Sequence, residues 1–306
     1  MPPVSCSTHD IRLGLRRYYP REEASALARV VCCELMGMRP VDYFAGKDMT
    51  LSANDHARLT SILHRLALFE PIQYIQGATT FLGRSFRVAP GVLVPRPETE
   101  ELVERMVREL PRGSRVLDIG TGSGCIAISL ALAVEGAAVT AWDVSPLALA
   151  QAQENADRLQ ARVAWDQRDI LSPLPWERSP DDGPADARLE ADGQPTAYTP
   201  SAPPQYDVIV SNPPYVRQSE RLAMAPNVLN WEPAEALFVP DDDPLRFYRR
   251  IGQLARTLLP PGGRLYLEIN QALGREMQAL LTAQGYHQVR IEKDLSGHDR
   301  FALATR

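Results

Sequence analysis

Apolar residues from Ile11 to Ile75 recur at helical spacing, as in Leu27, Val30, Val31, Cys33 and Leu35 and again in Leu59, Ile62, Leu63, Leu66 and Phe69. The pattern predicts a small helical domain over residues 1–76. Ser52 followed by Asp55 resembles a capping box with Asp in place of Glu, which sets a helix start just after Leu51. Glu70-Pro71 predicts the end of that helix, because the residue before a proline avoids helical dihedrals. Between Ala78 and Val94, the residues Phe81, Phe86, Val88, Val92 and Val94 are punctuated by Gly83 and Pro90-Gly91. This spacing predicts a short hairpin, a structured linker over 77–96. Pro97-Glu98-Thr99-Glu100-Glu101 then opens a helix, with proline in the first turn and carboxylates at the positive end of the helix dipole.

From Arg115 onward, short apolar runs alternate with helical patterns: Arg115 to Ile119, Ala138 to Trp142, Val163 to Gln167, Tyr206 to Val210 and Arg264 to Ile269 read as strands. The expected fold class is α/β, a Rossmann-like, mainly parallel sheet with helices on both faces over 97–306. Ligands of such a sheet lie at the carboxyl ends of its strands. Residues 177–205 break the pattern: rich in Pro, Ala, Asp and Gly with few large apolar groups, they read as a flexible acidic insertion between two strands.

The chain has 306 residues, 44% of them hydrophobic and 23% charged, the balance of a soluble globular protein with room for one large and one smaller domain. No apolar run reaches the length of a membrane span. A net charge of -5 argues against a protein whose main task is wrapping nucleic acid. Cys6, Cys32, Cys33 and Cys125 lack paired C-x-x-C spacing, so neither a metal site nor a disulfide framework is expected. Arg12, Arg16, Arg17 and Arg21 are interrupted by Asp10, Glu22 and Glu23, which fits a surface helix of a cytoplasmic protein better than a transit peptide.

Candidate chemistry begins at Val116-Leu117-Asp118-Ile119-Gly120-Thr121-Gly122-Ser123-Gly124, a strand running into a glycine turn, with a helix following from Cys125. Glycines allow close backbone approach and expose amides at a helix start, so a nucleotide-like ligand is expected. Asp143, at the end of the next strand, is placed to accept hydrogen bonds from two ribose hydroxyls. Gly122-Ser123-Gly124-Cys125-Ile126-Ala127 also fits the G-x-G-x-x-A form of dinucleotide enzymes. S-adenosylmethionine is favoured by the extra Gly120, by Asp118 just before the turn, and by the place of this unit as the first strand of the sheet. Asp118 either binds the cofactor's amino group or holds the loop.

Asn212-Pro213-Pro214-Tyr215 follows directly at the carboxyl end of a buried strand. Two prolines stiffen the turn and donate no N–H, leaving rigid carbonyl acceptors. A planar amide or aromatic amine is a poor nucleophile because its lone pair is delocalised. The Asn212 side-chain oxygen and the Pro213 carbonyl can each accept one of its N–H groups, holding the nitrogen in line with a methyl group, while the Tyr215 ring packs on the plane. The expected reaction is methylation of a planar nitrogen. The motif alone does not separate glutamine from adenine.

With these motifs in place, the chain resembles the HemK-like protein glutamine-N5 methyltransferases of the peptide chain release factor type. The resemblance runs from about Tyr18 to Leu303 and includes Glu70-Pro71-Ile72-Gln73-Tyr74-Ile75, Pro95-Arg96-Pro97-Glu98-Thr99-Glu100, Asp118 to Gly124, Asn212 to Tyr215 and Asp294-Leu295-Ser296-Gly297. It implies a class I methyltransferase domain with a seven-stranded sheet and an N-terminal helical bundle that recognises the substrate. The implied substrate is the glutamine of the Gly-Gly-Gln motif in class 1 release factors, methylated at N5 by a monomeric enzyme with S-adenosylmethionine, which leaves as S-adenosylhomocysteine. Carried over by position, Gly120, Thr121, Gly122, Ser123, Gly124, Asp143 and Asn212 contact the cofactor, and Asn212 to Tyr215 the glutamine. Asp169 and Ile170 align with the segment beside the adenine, where some members carry Trp, and Trp231-Glu232-Pro233 stands where Tyr or Phe commonly precedes Glu-Pro. A sister enzyme acting on a large-subunit ribosomal protein shares every core motif.

Overall fold

The computed structural model describes residues 4–177 and 202–306. The acidic insertion expected at 177–205 therefore lies outside the described residues, apart from residue 177 and residues 202–205. The chain falls into two units, one drawn from Met1–Thr79, Val88–Pro90 and Ala223–Glu232, the other from Thr80–Arg87, Gly91–Leu222 and Pro233–Arg306.

The first unit is helical, as the periodicity predicts. Helices Thr8–Leu15, Arg21–Arg29 and Ala53–Ala67 close on a core that includes Ile11, Leu15, Leu27, Val31, Leu59, Ile62 and Leu66. The chain continues from Arg29 into a wider π-helical turn, Val30–Leu35, where Cys32 is fully buried and burial pushes its thiol up to about 12. The Ser52 hydroxyl accepts from the Asp55 amide at 3.2 Å and donates to its carboxylate at 2.6 Å, the capping geometry expected after Leu51. The helix stops at Ala67, ahead of Glu70-Pro71, because Phe69 turns left-handed with φ 60° and the Glu70 amide returns to the Arg65 carbonyl. One feature is absent from the helical pattern: Val4–Cys6 and Met49–Leu51 pair as short antiparallel strands. Three-residue strands carry too little alternation to register against the helices around them.

Strands Ala78–Phe81 and Arg84–Arg87 form the predicted hairpin, turning through Leu82 (φ 47°) and Gly83 (φ 69°). Positive φ at both turn residues matches the right-handed twist of a two-residue hairpin. Phe81 and Phe86 meet edge to face at 5.9 Å inside the core of the second unit.

That second unit is built on a seven-stranded sheet. Its strands, in chain order, are β1 Arg115–Ile119, β2 Ala138–Asp143, β3 Val163–Gln167, β4 Val208–Ser211, β5 Arg264–Glu268, β6 His287–Lys293 and β7 Asp299–Thr305. Their spatial order is β6-β7-β5-β4-β1-β2-β3, with β7 antiparallel to both neighbours and the other pairings parallel. Alternate residues point to opposite faces. Val116, Val208, Val210 and Tyr266 face a layer made by helices Pro97–Glu109, Cys125–Ala133 and Pro146–Leu159, while Leu117, Ile209, Leu265 and Leu267 face Arg246–Leu258 and Gly274–Ala283. Both faces are covered, which is why these strands read as continuous apolar runs. From β1 the chain steps outward to β2 and β3, then returns to the far side of β1 as β4. The reversal makes the carboxyl ends of β1 and β4 a switch point, where open α/β sheets bind ligands.

Among the described residues, no helix is long and apolar enough to cross a membrane. Ile209 is fully buried on the central strand β4. Ile209→Ala is expected to lower unfolding stability by about 2–5 kcal/mol through lost burial and a residual cavity, read as a reduced urea midpoint at unchanged slope.

Candidate active site

β1 and β4 end side by side, with Ile119 opposite Ser211, and the Ser211 hydroxyl donates to the Ile119 carbonyl at 2.6 Å. The glycine turn and Asn212-Pro213-Pro214 leave the sheet from this shared edge and face one cleft of about 180 Å³. Of the residues singled out in the sequence, Gly120, Thr121, Gly122, Ser123, Asp143, Asp169, Ile170, Asn212, Pro213 and Pro214 line it. Asp118, Gly124 and Tyr215 do not.

The glycine turn is held from several sides. Gly120 and Thr121 amides donate to the Trp142 carbonyl, at 2.8 and 3.1 Å, which ties the turn to the end of β2. Gly122 donates to Asp143 Oδ2 at 2.8 Å, and Ser145 donates to Asp143 Oδ1 at 2.9 Å. Gly120 (φ 74°) and Gly122 (φ 56°) present open space where a Cβ would stand, so a ligand can approach their backbone. Gly124 (φ 81°) serves packing instead: a Cβ there would lie 2.9 Å from Ile128 Cδ1 and 3.0 Å from Ala152 Cβ. Asn155, buried on the helix after β2, donates to the Ser123 carbonyl at 2.9 Å and exchanges hydrogen bonds with the Arg87 backbone. Sequence reasoning missed Asn155, although a polar residue between Ala152 and Ala156 on a buried stripe was its signal.

Asp118 is wholly buried, and its Oδ2 accepts from the Thr121 hydroxyl at 2.6 Å. Burial pushes the carboxyl up to about 7; the Thr121 hydrogen bond opposes the rise and the nearby Asp143 adds to it. Asp143 is raised as well, by burial against the backbone amides that favour its charge. The open backbone of Gly120 and Gly122, with the Asp143 carboxylate beside it, fits an adenosine-type cofactor such as S-adenosylmethionine. Farther along the cleft, Asp169 caps its own turn through the Leu171 amide and the Ser172 hydroxyl, at 2.9 and 2.7 Å. Ile170 and Phe247 supply apolar wall. Phe247 is an aromatic side chain that the sequence patterns did not single out.

Asn212 Nδ2 donates to Thr99 Oγ1 at 3.0 Å, and the Thr99 hydroxyl donates to Glu268 Oε2 at 2.6 Å. The Tyr215 hydroxyl donates to Glu268 Oε1 at 3.0 Å. Glu268 ends β5 and is buried, which raises its pKa; the hydroxyls of Thr99 and Tyr215 and the charge of Arg300 pull the other way. Burial also raises the Tyr215 phenol, with the Glu268 charge adding to it. In the helical unit, the Trp231 indole N–H donates to the Leu68 carbonyl at 3.0 Å.

Comparison with known proteins follows the same division. Residues 13–77 match a model described as the PrmC N-terminal domain, and residues 116–188 match a methyltransferase domain. A release factor glutamine methyltransferase of Bacteroides thetaiotaomicron is 50% identical over 97% of this chain and 98% of its own length. The chain belongs to the release factor glutamine methyltransferase family. Another member, from Flavobacterium psychrophilum, is 38% identical over 94% of this chain and 93% of its own length. A solved protein-(glutamine-N5) methyltransferase (release factor-specific) from Alicyclobacillus acidocaldarius is 31% identical, covering 72% of this chain and 99% of the other, at a TM-score of 0.39. The chain is thus an S-adenosylmethionine-dependent methyltransferase with a mostly parallel seven-stranded class I sheet.

A raised carboxyl makes a signed prediction. The folded state holds the Asp118 proton up to about 7, whereas an ordinary aspartate loses it near 3.8. The stability Asp118 contributes is therefore full below that lower value and falls as pH rises toward the upper one, by at most about 1.4 kcal/mol per pH unit. Urea unfolding of cofactor-free protein from pH 5 to 8 is expected to show wild type losing ground to Asp118→Asn up to about pH 7 and a constant gap above it. A gap that does not change with pH contradicts the assignment.

Proposed function

We propose that the protein methylates the side-chain amide N5 of a glutamine in class 1 peptide chain release factors, in the cytoplasm where translation runs. The observation that carries the reading is the meeting of Asn212-Pro213-Pro214 and the glycine turn in one cleft, in a chain of this family. Residues 1–76 recognise the protein substrate, 77–96 link, and 97–306 carry the chemistry.

S-adenosylmethionine, when bound, supplies an electrophilic methyl group. Gly120, Thr121, Gly122 and Ser123 offer backbone to it, Asp143 accepts from the ribose, Asp169 and Ile170 border the adenine, and Asp118 holds the loop through Thr121. Asn212 Oδ1 and the Pro213 carbonyl accept the two N–H groups of the glutamine amide, which fixes the nitrogen and raises its electron density. Tyr215 backs the amide plane. The prolines keep competing N–H donors out of the site. A positively charged donor and a neutral acceptor disperse charge as they react, so a cleft with apolar walls suits the transfer. The extra amide proton leaves to solvent once the N–C bond has formed, and no strong base is required.

Incubation with labelled S-adenosylmethionine and separate samples of release factor, ribosomal protein and DNA, followed by mass mapping, is expected to place one methyl group on a release factor glutamine. Label on adenine, or none on glutamine, overturns the proposal. Asn212→Ala is expected to cut transfer to a small residual rate while cofactor affinity stays within about tenfold, or roughly 1.4 kcal/mol, by calorimetry.

A further inference from the structure

We infer that Thr99 and Glu268 are positioning residues which fix the direction of the Asn212 amide, so that its oxygen and not its nitrogen faces the substrate; the inference rests on the glutamine reading above.

In the structure Glu268 accepts at both oxygens, Oε2 from the Thr99 hydroxyl and Oε1 from the Tyr215 hydroxyl, and so stands as an acceptor only. Glu268 is buried with Oε2 at 2.6 Å from the Thr99 hydroxyl, so the single proton of that hydroxyl is committed to the carboxylate. Thr99 Oγ1 then has only lone pairs to offer the Asn212 amide 3.0 Å away, and the amide must turn its donor, Nδ2, toward it. Because the amide group is planar, Oδ1 points the opposite way. Reversing the amide would set two acceptors, Asn212 Oδ1 and Thr99 Oγ1, against each other at a buried hydroxyl.

The direction matters chemically. An acceptor facing the glutamine N–H holds the nitrogen and enriches it in electron density; a donor in the same place repels the N–H and depletes the nucleophile. Glu268 reaches the other end of the motif as well, since its Oε1 accepts from the Tyr215 hydroxyl at 3.0 Å. The Tyr215 carbonyl is held separately by Asn270 Nδ2, also at 3.0 Å. Stability alone does not account for the arrangement. Both oxygens of a buried carboxylate are met by hydroxyls rather than by a cation, and an apolar residue of similar volume costs less to bury. What the carboxylate supplies is a fixed sense of donation along a chain of groups that could otherwise run either way.

The test uses the full-length protein with a purified release factor, and begins by confirming that wild type methylates glutamine. If it does not, the functional reading falls and this inference with it. Given an active wild type, Thr99→Val keeps the shape and removes the hydroxyl; kcat is expected to fall at least about tenfold while the calorimetric Kd for S-adenosylmethionine stays within about threefold. Thr99→Ser restores the hydroxyl and is expected to return kcat to within about threefold of wild type. A Thr99→Val kcat within about twofold of wild type, or a Thr99→Ser as slow as Thr99→Val, overturns the inference. Glu268→Gln, measured in parallel, guards against a Thr99→Val that fails to fold: at retained cofactor affinity its kcat is expected to drop at least about fivefold, and a kcat within about twofold of wild type overturns the inference on its own.

Discussion

Parallel pairing of β1 with β4 is the contact on which the site depends. It sets Ile119 opposite Ser211 across 92 positions of sequence, and the Ser211 hydroxyl closes the pair on the Ile119 carbonyl. The next residue on each strand is already in the cleft: Gly120 on one side, Asn212 on the other. A one-residue slip in this register would carry Ile209 and Leu117 out of one helical layer and send the wrong face of each turn toward the ligand. The apolar packing on both sides of the sheet thus holds the chemistry in place, because buried strands with covered faces have one register that keeps their side chains in the core.

Buried carboxylates at this edge are met by hydroxyls. Asp118 and Glu268 are both buried, each costs desolvation, and each is met by a threonine hydroxyl, Thr121 at 2.6 Å and Thr99 at 2.6 Å. The two carboxylates divide the work. Asp118 ties down the glycine turn through the Thr121 hydroxyl. Glu268 accepts from the Tyr215 and Thr99 hydroxyls and, through Thr99, meets the Asn212 amide. A site that must hold a neutral amide beside a sulfonium benefits from acceptors that carry no full charge.

Much of the fold was legible in the sequence because its signals are local. The alternation of apolar runs with helical spacing marked five strands, and Ser52-Asp55 marked a helix start that its hydrogen bonds support. Strand β6 carried a weaker signal: it is an edge strand with exposed positions, so its apolar pattern is diluted. The glycine turn and Asn212-Pro213-Pro214 were legible because each motif is contiguous. Thr99 and Glu268 were not, since Thr99 reads as an ordinary first-turn residue of a helix and Glu268 as the end of a strand, and only the folded chain brings them together over 169 positions. Asn155 and Phe247 escaped for the same reason. A contiguous motif is visible in the chain, whereas the residues that hydrogen-bond to it are scattered wherever the fold supplies a neighbour.

If Thr99 acts through Asn212, the two are coupled rather than additive. The direct measurement is a double-mutant cycle of Thr99→Val and Asn212→Ala, read as single-turnover glutamine methylation with enzyme in excess and saturating S-adenosylmethionine. The predicted result is that Thr99→Val, which slows the enzyme when Asn212 is present, changes the residual rate of Asn212→Ala by less than about twofold. Independent, multiplicative losses in the double variant would contradict it.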